Sequence, residues 1–274
     1  MIVNSVEMLA NAKKKGCGLP APDYFDYDSA YVYTKTAEAL GIPLILSYAQ
    51  VFDPFFPLEE AADIGLYFAK RASVPVALHL DHGTTEEFVE RAVKLGFSSV
   101  MLDASKDSIE SNTKRTAAVV KMAHPLGISV EAEIGHVGSG TEEGDDAVYT
   151  QADEAEAFVK ATGVDSLAVS IGTAHGVYKK MKPVLNFERL SEISKLVDVP
   201  LVLHGGSGTG DDNITKCVQL GICKVNVYTE FLQACGKAFD ETVGADLHAR
   251  RAAAKDNMRS VLEHYFKICR SAEL

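Results

Sequence analysis

The chain has 274 residues, 47% of them hydrophobic, with a mean hydropathy near zero, which allows a large core in one big domain or two. Lysine and arginine total 27 against 38 acidic residues, and the resulting charge of −11 argues against a nucleic acid or an anionic membrane as partner. An acidic substrate stays open only where one site concentrates positive potential. The five cysteines (Cys17, Cys217, Cys223, Cys235, Cys269) are odd in number and lack CxxC spacing, so they read as small core residues in a reducing cytoplasm. MIVNSVEMLANAKKKG at the start has no long apolar run or cleavage site, and no window is apolar enough for a membrane span. A soluble, cytoplasmic protein is expected.

In chain order, apolar runs recur: a weak CGLPAPDY from Cys17, PLILSY from Pro43, PVALHL from Pro75, SSVMLD from Ser98, SVEAEI from Ser129, SLAVSIG from Ser166, PLVLHGG from Pro200 and KVNVYT from Lys224. Helical patterns fill the gaps. TTEEFVERAVKLG puts Phe88, Ala92 and Leu95 on one face, with Thr84 and Glu87 spaced as a capping box. DEAEAFVKATG and NITKCVQLG both stop at a glycine. Eight strands alternating with helices, without a domain break, predict an α/β fold: a (β/α)8 TIM barrel forming one domain over residues 1–274. An open doubly wound sheet would alternate too, but even spacing favours closure. HVGSGTEEGDDAVYTQ, from His136, reads as a long lid loop, and the stretch from Ala245 as an extra C-terminal helical segment lying outside the barrel or on a partner subunit.

In such barrels the chemistry collects at the C-terminal strand ends. Here these read Asp81-His82, Asp103, Glu133, His175-Gly176, His204-Gly205-Gly206-Ser207 and Asn226-Val227-Tyr228-Thr229. A strand that ends in ionisable groups needs partners or water for them, so Asp81 and His82 are expected to line a wet pocket. Any one of His82, His175 and His204 alone would read as a hydrogen-bonded structural residue. Three at equivalent strand ends form the pattern of a catalytic transition metal with an open coordination position, most often zinc. His79 is expected to pack or support from behind, His136 to sit at the lid base, and His124, His248 and His264 to lie on the surface. Glycines in HGGSG and the helix start after NVYTE allow backbone N–H groups to approach a phosphate.

LHLDHG, VMLDAS, VEAEIG, GVDSLAVSIGTAHGVYKK, VPLVLHGGSG and KVNVYTE, spanning Pro75 to Glu230, resemble the zinc-dependent class II fructose- and tagatose-bisphosphate aldolases. The resemblance implies an aldehyde-lyase of carbohydrate metabolism, with glycolysis as its setting, that forms or cleaves a carbon–carbon bond through a zinc-stabilised dihydroxyacetone phosphate enediolate. It implies one catalytic Zn2+ on His82, His175 and His204, with Glu133 as an alternate ligand and Asp103 as a further acidic position near the metal. A monovalent cation is a further candidate cofactor. Asp81 matches the residue exchanging a proton with the hydroxyl at the bond-forming carbon. Gly176, Gly205, Gly206, Ser207, Asn226, Val227, Tyr228 and Thr229 match the segments holding the ketone phosphate. A homodimer or homotetramer is expected, with a sugar phosphate as the small-molecule partner.

The departures from the family pattern are specific. Paired asparagines near the first strand become Asp23 and Asp26, expected either to face the half of the pocket opposite the phosphate loops or to turn outward as caps. A position often held by serine is Ala49. The lid is one residue longer than usual, so Glu142 and Glu143 compete as its catalytic glutamate. The C-terminal arginine that reaches a neighbouring subunit matches Arg250 or Arg251. Two readings of other classes stand beside the aldolase: a metallohydrolase on the same barrel, and a non-catalytic sugar-phosphate-binding accessory subunit.

Overall fold

A computed structural model describes residues 1–138, 148–176 and 183–274. Eight parallel strands are present: β1 Leu19–Pro22, β2 Leu44–Ala49, β3 Val76–Gly83, β4 Ser99–Leu102, β5 Ser129–Ile134, β6 Ser166–Val169, β7 Leu201–Leu203 and β8 Ile222–Val227. They follow one another in the order β1-β8-β7-β6-β5-β4-β3-β2. The ring closes between β1 and β2, where Tyr24 N donates to Ser47 O at 2.8 Å. The expected (β/α)8 barrel is therefore the observed fold, with helices ringing the sheet because each strand's outward residues are apolar and need cover.

Closure changes one expectation. In the ring β1 adjoins β8, and Asp23 N donates to Val227 O at 3.3 Å. The first strand end therefore lies beside the NVYT loop and not across the pocket from it. Local signals were displaced by a residue or two. The helix Glu86–Leu95 is capped by Thr85, whose hydroxyl accepts from Phe88 N at 3.2 Å, while Thr84 N donates to Gln50 Oε1. The helix Ala152–Thr162 ends at Gly163 as expected, but Asp211–Gln219 is capped by Leu220, with Gly221 one residue later.

The C-terminal helix Leu247–Ile268 packs on its own barrel, burying Ala254, Met258, Leu262, Tyr265 and Phe266. Its end is tied to the entry of β1, where Gly18 N donates to Cys269 O at 2.8 Å and Ser271 Oγ to Gly18 O at 2.6 Å. The helix Val6–Lys15 lies at the N-terminal mouth of the barrel, where Ser5 Oγ meets Ser129 Oγ at 2.8 Å. All five cysteines are free thiols, four of them buried. No described helix is long and apolar enough to cross a membrane.

Because Leu262 is fully buried where the terminal helix meets the barrel, Leu262→Ala should cost about 2–5 kcal/mol of stability. Urea unfolding of both proteins measures this, and a loss under about 1 kcal/mol would mean that the helix contributes little to the core.

Candidate active site

Adjacent strand residues normally point to opposite faces. Asp81 and His82 both face the pocket because β3 carries one extra residue against β4, with Leu80 paired to Val100 and Gly83 to Leu102. His82 absorbs the bulge with φ 48, left-handed backbone that a non-glycine residue seldom adopts and that strained functional positions often show. At the end of β7, Gly205 has φ 68, and a Cβ on it would lie 2.5 Å from Ala174 O. A Cβ on Gly206 would lie 2.7 Å from Asn226 O. The two glycines thus let the loops after β6, β7 and β8 close on one another.

The three histidines converge as expected, with ring centroids 4.5 Å apart for His82 and His204, 4.8 Å for His82 and His175, and 5.8 Å for His175 and His204. The outer nitrogens of two of them are committed. His82 Nδ1 donates to Asp103 Oδ2 at 2.7 Å, and His204 Nε2 donates to Glu131 Oε1 at 3.0 Å. In their neutral forms these two rings each present a lone pair inward, and His82 Nε2 faces His204 Nδ1 at 2.8 Å. Two lone pairs at that distance repel unless a proton or a cation lies between them. The donor set thus fits a divalent transition ion held by three neutral imidazoles.

Titration follows from the same contacts. Burial by itself depresses His82, but Asp81 and the hydrogen bond to Asp103 overcome it and push its pKa up to about 10. Burial and the His82 charge bring His175 down to about 4 and hold His204 well below the usual range. Burial raises the Asp103 carboxyl, yet its bond to His82 leaves it well below the ordinary carboxylate value. Glu133 is pushed up to about 8 by burial and by the Asp103 charge. Its Oε1 accepts from Val137 N at 2.9 Å, while buried Oε2 has no partner. Asp103 thus reaches His82 through its outer nitrogen, and Glu133 Oε2 is a spare oxygen within the same cluster.

Asp81 is buried, with Asn226 Nδ2 donating to its Oδ1 at 2.8 Å. It nevertheless lines a cavity of about 760 Å³ with His82, Asp103, His175, Gly176, Gly205, Gly206, Ser207 and the segment Asn226–Thr229. His204 and Glu133 lie buried behind that wall. Ser207 Oγ accepts from Tyr228 N at 3.2 Å, linking the two glycine- and helix-start loops. Glu142 and Glu143 lie outside the described residues. His136 borders the cavity with Nδ1 on Ser105 Oγ at 3.0 Å, whereas His124 and His264 pair on the surface with Asp165 and Asp211. Arg251 binds Asp28 at 2.7 Å and Arg250 donates to Phe239 O, so neither borders this cavity.

The two strand-one aspartates separate. Asp26 turns outward and caps the helix Tyr27–Leu40, accepting from Ser29 N at 2.7 Å. Asp23 stays inside and lines the cavity beside Ala49.

Reading the strand ends alone passes over the layer beneath the site. Lys224 is 1% exposed, and its Nζ donates to Glu131 Oε2 at 2.8 Å, to Oε1 at 2.9 Å and to His79 Nε2 at 3.1 Å. The signal was a charge two residues before each site residue: Lys224 before Asn226, Glu131 before Glu133, His79 before Asp81.

Residues 3–273 match the family described as fructose-bisphosphate aldolase class-II. The chain belongs to that family. Among solved structures, the YdjI aldolase from Escherichia coli K12 is 33% identical over 98% of this chain and 97% of that one, with a TM-score of 0.90. A putative fructose-1,6-biphosphate aldolase from Coccidioides immitis is 28% identical over 98% and 96%, also at 0.90. A fructose-bisphosphate aldolase from Campylobacter jejuni, at 24% identity over 98% and 96% and a TM-score of 0.84, shares the fold. For a class II aldolase, the convergence of three imidazoles at the barrel mouth is where a metal-dependent site belongs.

Two outcomes test this geometry. Lys224→Met leaves Glu131 as a buried uncompensated charge and should cost about 3–5 kcal/mol, part of which Lys224→Met with Glu131→Gln should recover. An unchanged unfolding midpoint in the single variant would remove the pair from the core's energetics. The second concerns protons. His82, raised above its unfolded value, stays protonated in the metal-free protein until pH approaches 10, whereas Glu133 is ionised above 8. Zinc uptake at about pH 9 should therefore release about one proton, read by calorimetry in buffers of different ionisation enthalpy. Uptake without proton release would mean that His82 is not displaced from its proton by the metal.

Proposed function

We propose that the protein is a metal-dependent aldolase that joins dihydroxyacetone phosphate to an aldehyde and runs the cleavage in reverse. The observation that carries this reading is the opposed pair of imidazole nitrogens, His82 Nε2 and His204 Nδ1, beside Asp81 in one cavity. His82, His175 and His204 would hold the ion, with zinc first among candidates and Glu133 in reserve. When bound, such an ion supplies Lewis acidity toward a ketone oxygen, so that the neighbouring carbon loses a proton near neutral pH without a Schiff-base lysine.

The chain's own groups do the rest. Asp81, held by Asn226, exchanges a proton with the hydroxyl oxygen at the bond-forming carbon. Gly176, the Gly205–Ser207 turn and the Asn226–Thr229 segment hold the ketone phosphate, since glycine backbone and a helix start at Thr229 suit an anion. Glu142 or Glu143 takes the proton from the ketone's carbon. Family membership and the phosphate-type loops favour this reading over a metallohydrolase, and the complete histidine set favours it over a non-catalytic subunit.

Proton exchange at the hydroxyl-bearing carbon of dihydroxyacetone phosphate, followed with and without a chelator, tests the reading directly. Exchange is expected and should stop on metal removal; exchange that survives the chelator would overturn metal dependence, and none at all would overturn the aldolase. Replacing any of the three histidines by alanine should lower metal content and turnover together. Asp81→Ala should keep the metal and lose cleavage by at least about 100-fold while exchange falls less. Equal loss of both would make Asp81 a support for the metal instead.

A further inference from the structure

Asp23 is a buried carboxyl that the reaction described above does not use. It is 5% exposed, borders the catalytic cavity, and its Oδ1 has no hydrogen-bond partner. Buried polar atoms in folded proteins are nearly always paired, so an orphan at a cavity wall points to a ligand group. Its neighbours narrow the chemistry. Asp23 sits between β8, through Val227 O, and β2, through its bridge to Ser47, and it feels the Asp81 charge together with the opposing charges of His82 and Lys224. The adjoining wall is Ala49, Val51, Phe52 and Tyr228, with the Phe52 and Tyr228 rings 4.8 Å apart. Among the described lining residues, the lysine is Lys106 and the arginine Arg115, both after β4, and Arg115 is bound to Glu86 and Asp107.

We propose that Asp23 determines the aldehyde partner, taking a hydroxyl of a polyhydroxy aldehyde that carries no phosphate along the β1–β2 wall. This rests on the aldolase reading, in which Asp81 works on the hydroxyl formed from that aldehyde. A hydroxyl donates and accepts, so it satisfies the Asp23 carboxyl whether ionised or protonated. A phosphate dianion only accepts, so it finds a donor in Asp23 only when that carboxyl is protonated, and the lining of this wall offers it no described lysine or arginine. A carboxyl there selects against a phosphorylated partner as well as for a hydroxylated one.

The metal-loaded full-length enzyme condenses dihydroxyacetone phosphate with glyceraldehyde or with glyceraldehyde 3-phosphate, and the ratio of the two kcat/KM values is the readout. The wild type should favour glyceraldehyde by at least about tenfold, and Asp23→Asn should move the ratio at least about tenfold toward the phosphorylated aldehyde. A ratio within one protein cancels any change in overall turnover or active fraction. Wild-type preference for glyceraldehyde 3-phosphate overturns the proposal even if the variant does not fold, and so does an unchanged ratio in Asp23→Asn. Proton exchange on dihydroxyacetone phosphate, measured without any aldehyde, separates the two failures. Exchange with the wrong preference sinks only the role of Asp23, and absent exchange sinks the aldolase reading with it.

Discussion

The site depends on one buried ion pair, Lys224 with Glu131, in the middle of the barrel. Neither charge could remain there alone, since an unpaired ion in a dry interior costs several kcal/mol or shifts to its neutral form. Paired, they satisfy one another through two hydrogen bonds, and Glu131 accepts in addition from Ser166 Oγ at 3.4 Å and from His204 Nε2–H. That contact sets the tautomer and turns Nδ1 toward His82. His79 completes the layer, with Nε2 against Lys224 and Nδ1 against Ser99 Oγ at 2.8 Å. A metal-type site therefore stands on a polar floor and not on hydrocarbon.

Above that floor, two backbone devices bring the chemistry to one face. The extra residue in β3 lets Asp81 and His82 share the pocket, and the close approach of Gly205 to Ala174 draws the β6 and β7 loops together. Charge then divides the cluster. His82, held between Asp81 and Asp103, keeps its proton far above neutrality, while His175 and His204 are held neutral. An arrangement with one displaceable proton among three imidazoles suits a group that a cation enters by exchange.

Much of this was legible in the residue order. Alternating apolar runs and helical patterns marked the eight strands, and the polar residues at their ends marked His82, His175, His204 and Asp81, because in this fold strand ends face one pocket. The HGGSG and NVYT turns were legible for the same reason. Shifts of a residue or two, as between Thr84 and Thr85, arose because neighbouring threonines offer the same cap and Gln50, far away in sequence, claimed one of them.

What the sequence determined by itself was therefore local: periodicity, turn chemistry and which residue types stand at each strand end. Only the tertiary structure decided which of those groups touch. It placed β1 beside β8, sent Asp26 out to cap a helix while holding Asp23 in the cavity, and paired Lys224 with Glu131 across 93 positions of chain. Ring closure brings such residues within hydrogen-bond distance, and a tautomer, a pKa or an orphaned oxygen depends on the neighbour a few ångströms away, not on the neighbour in the chain.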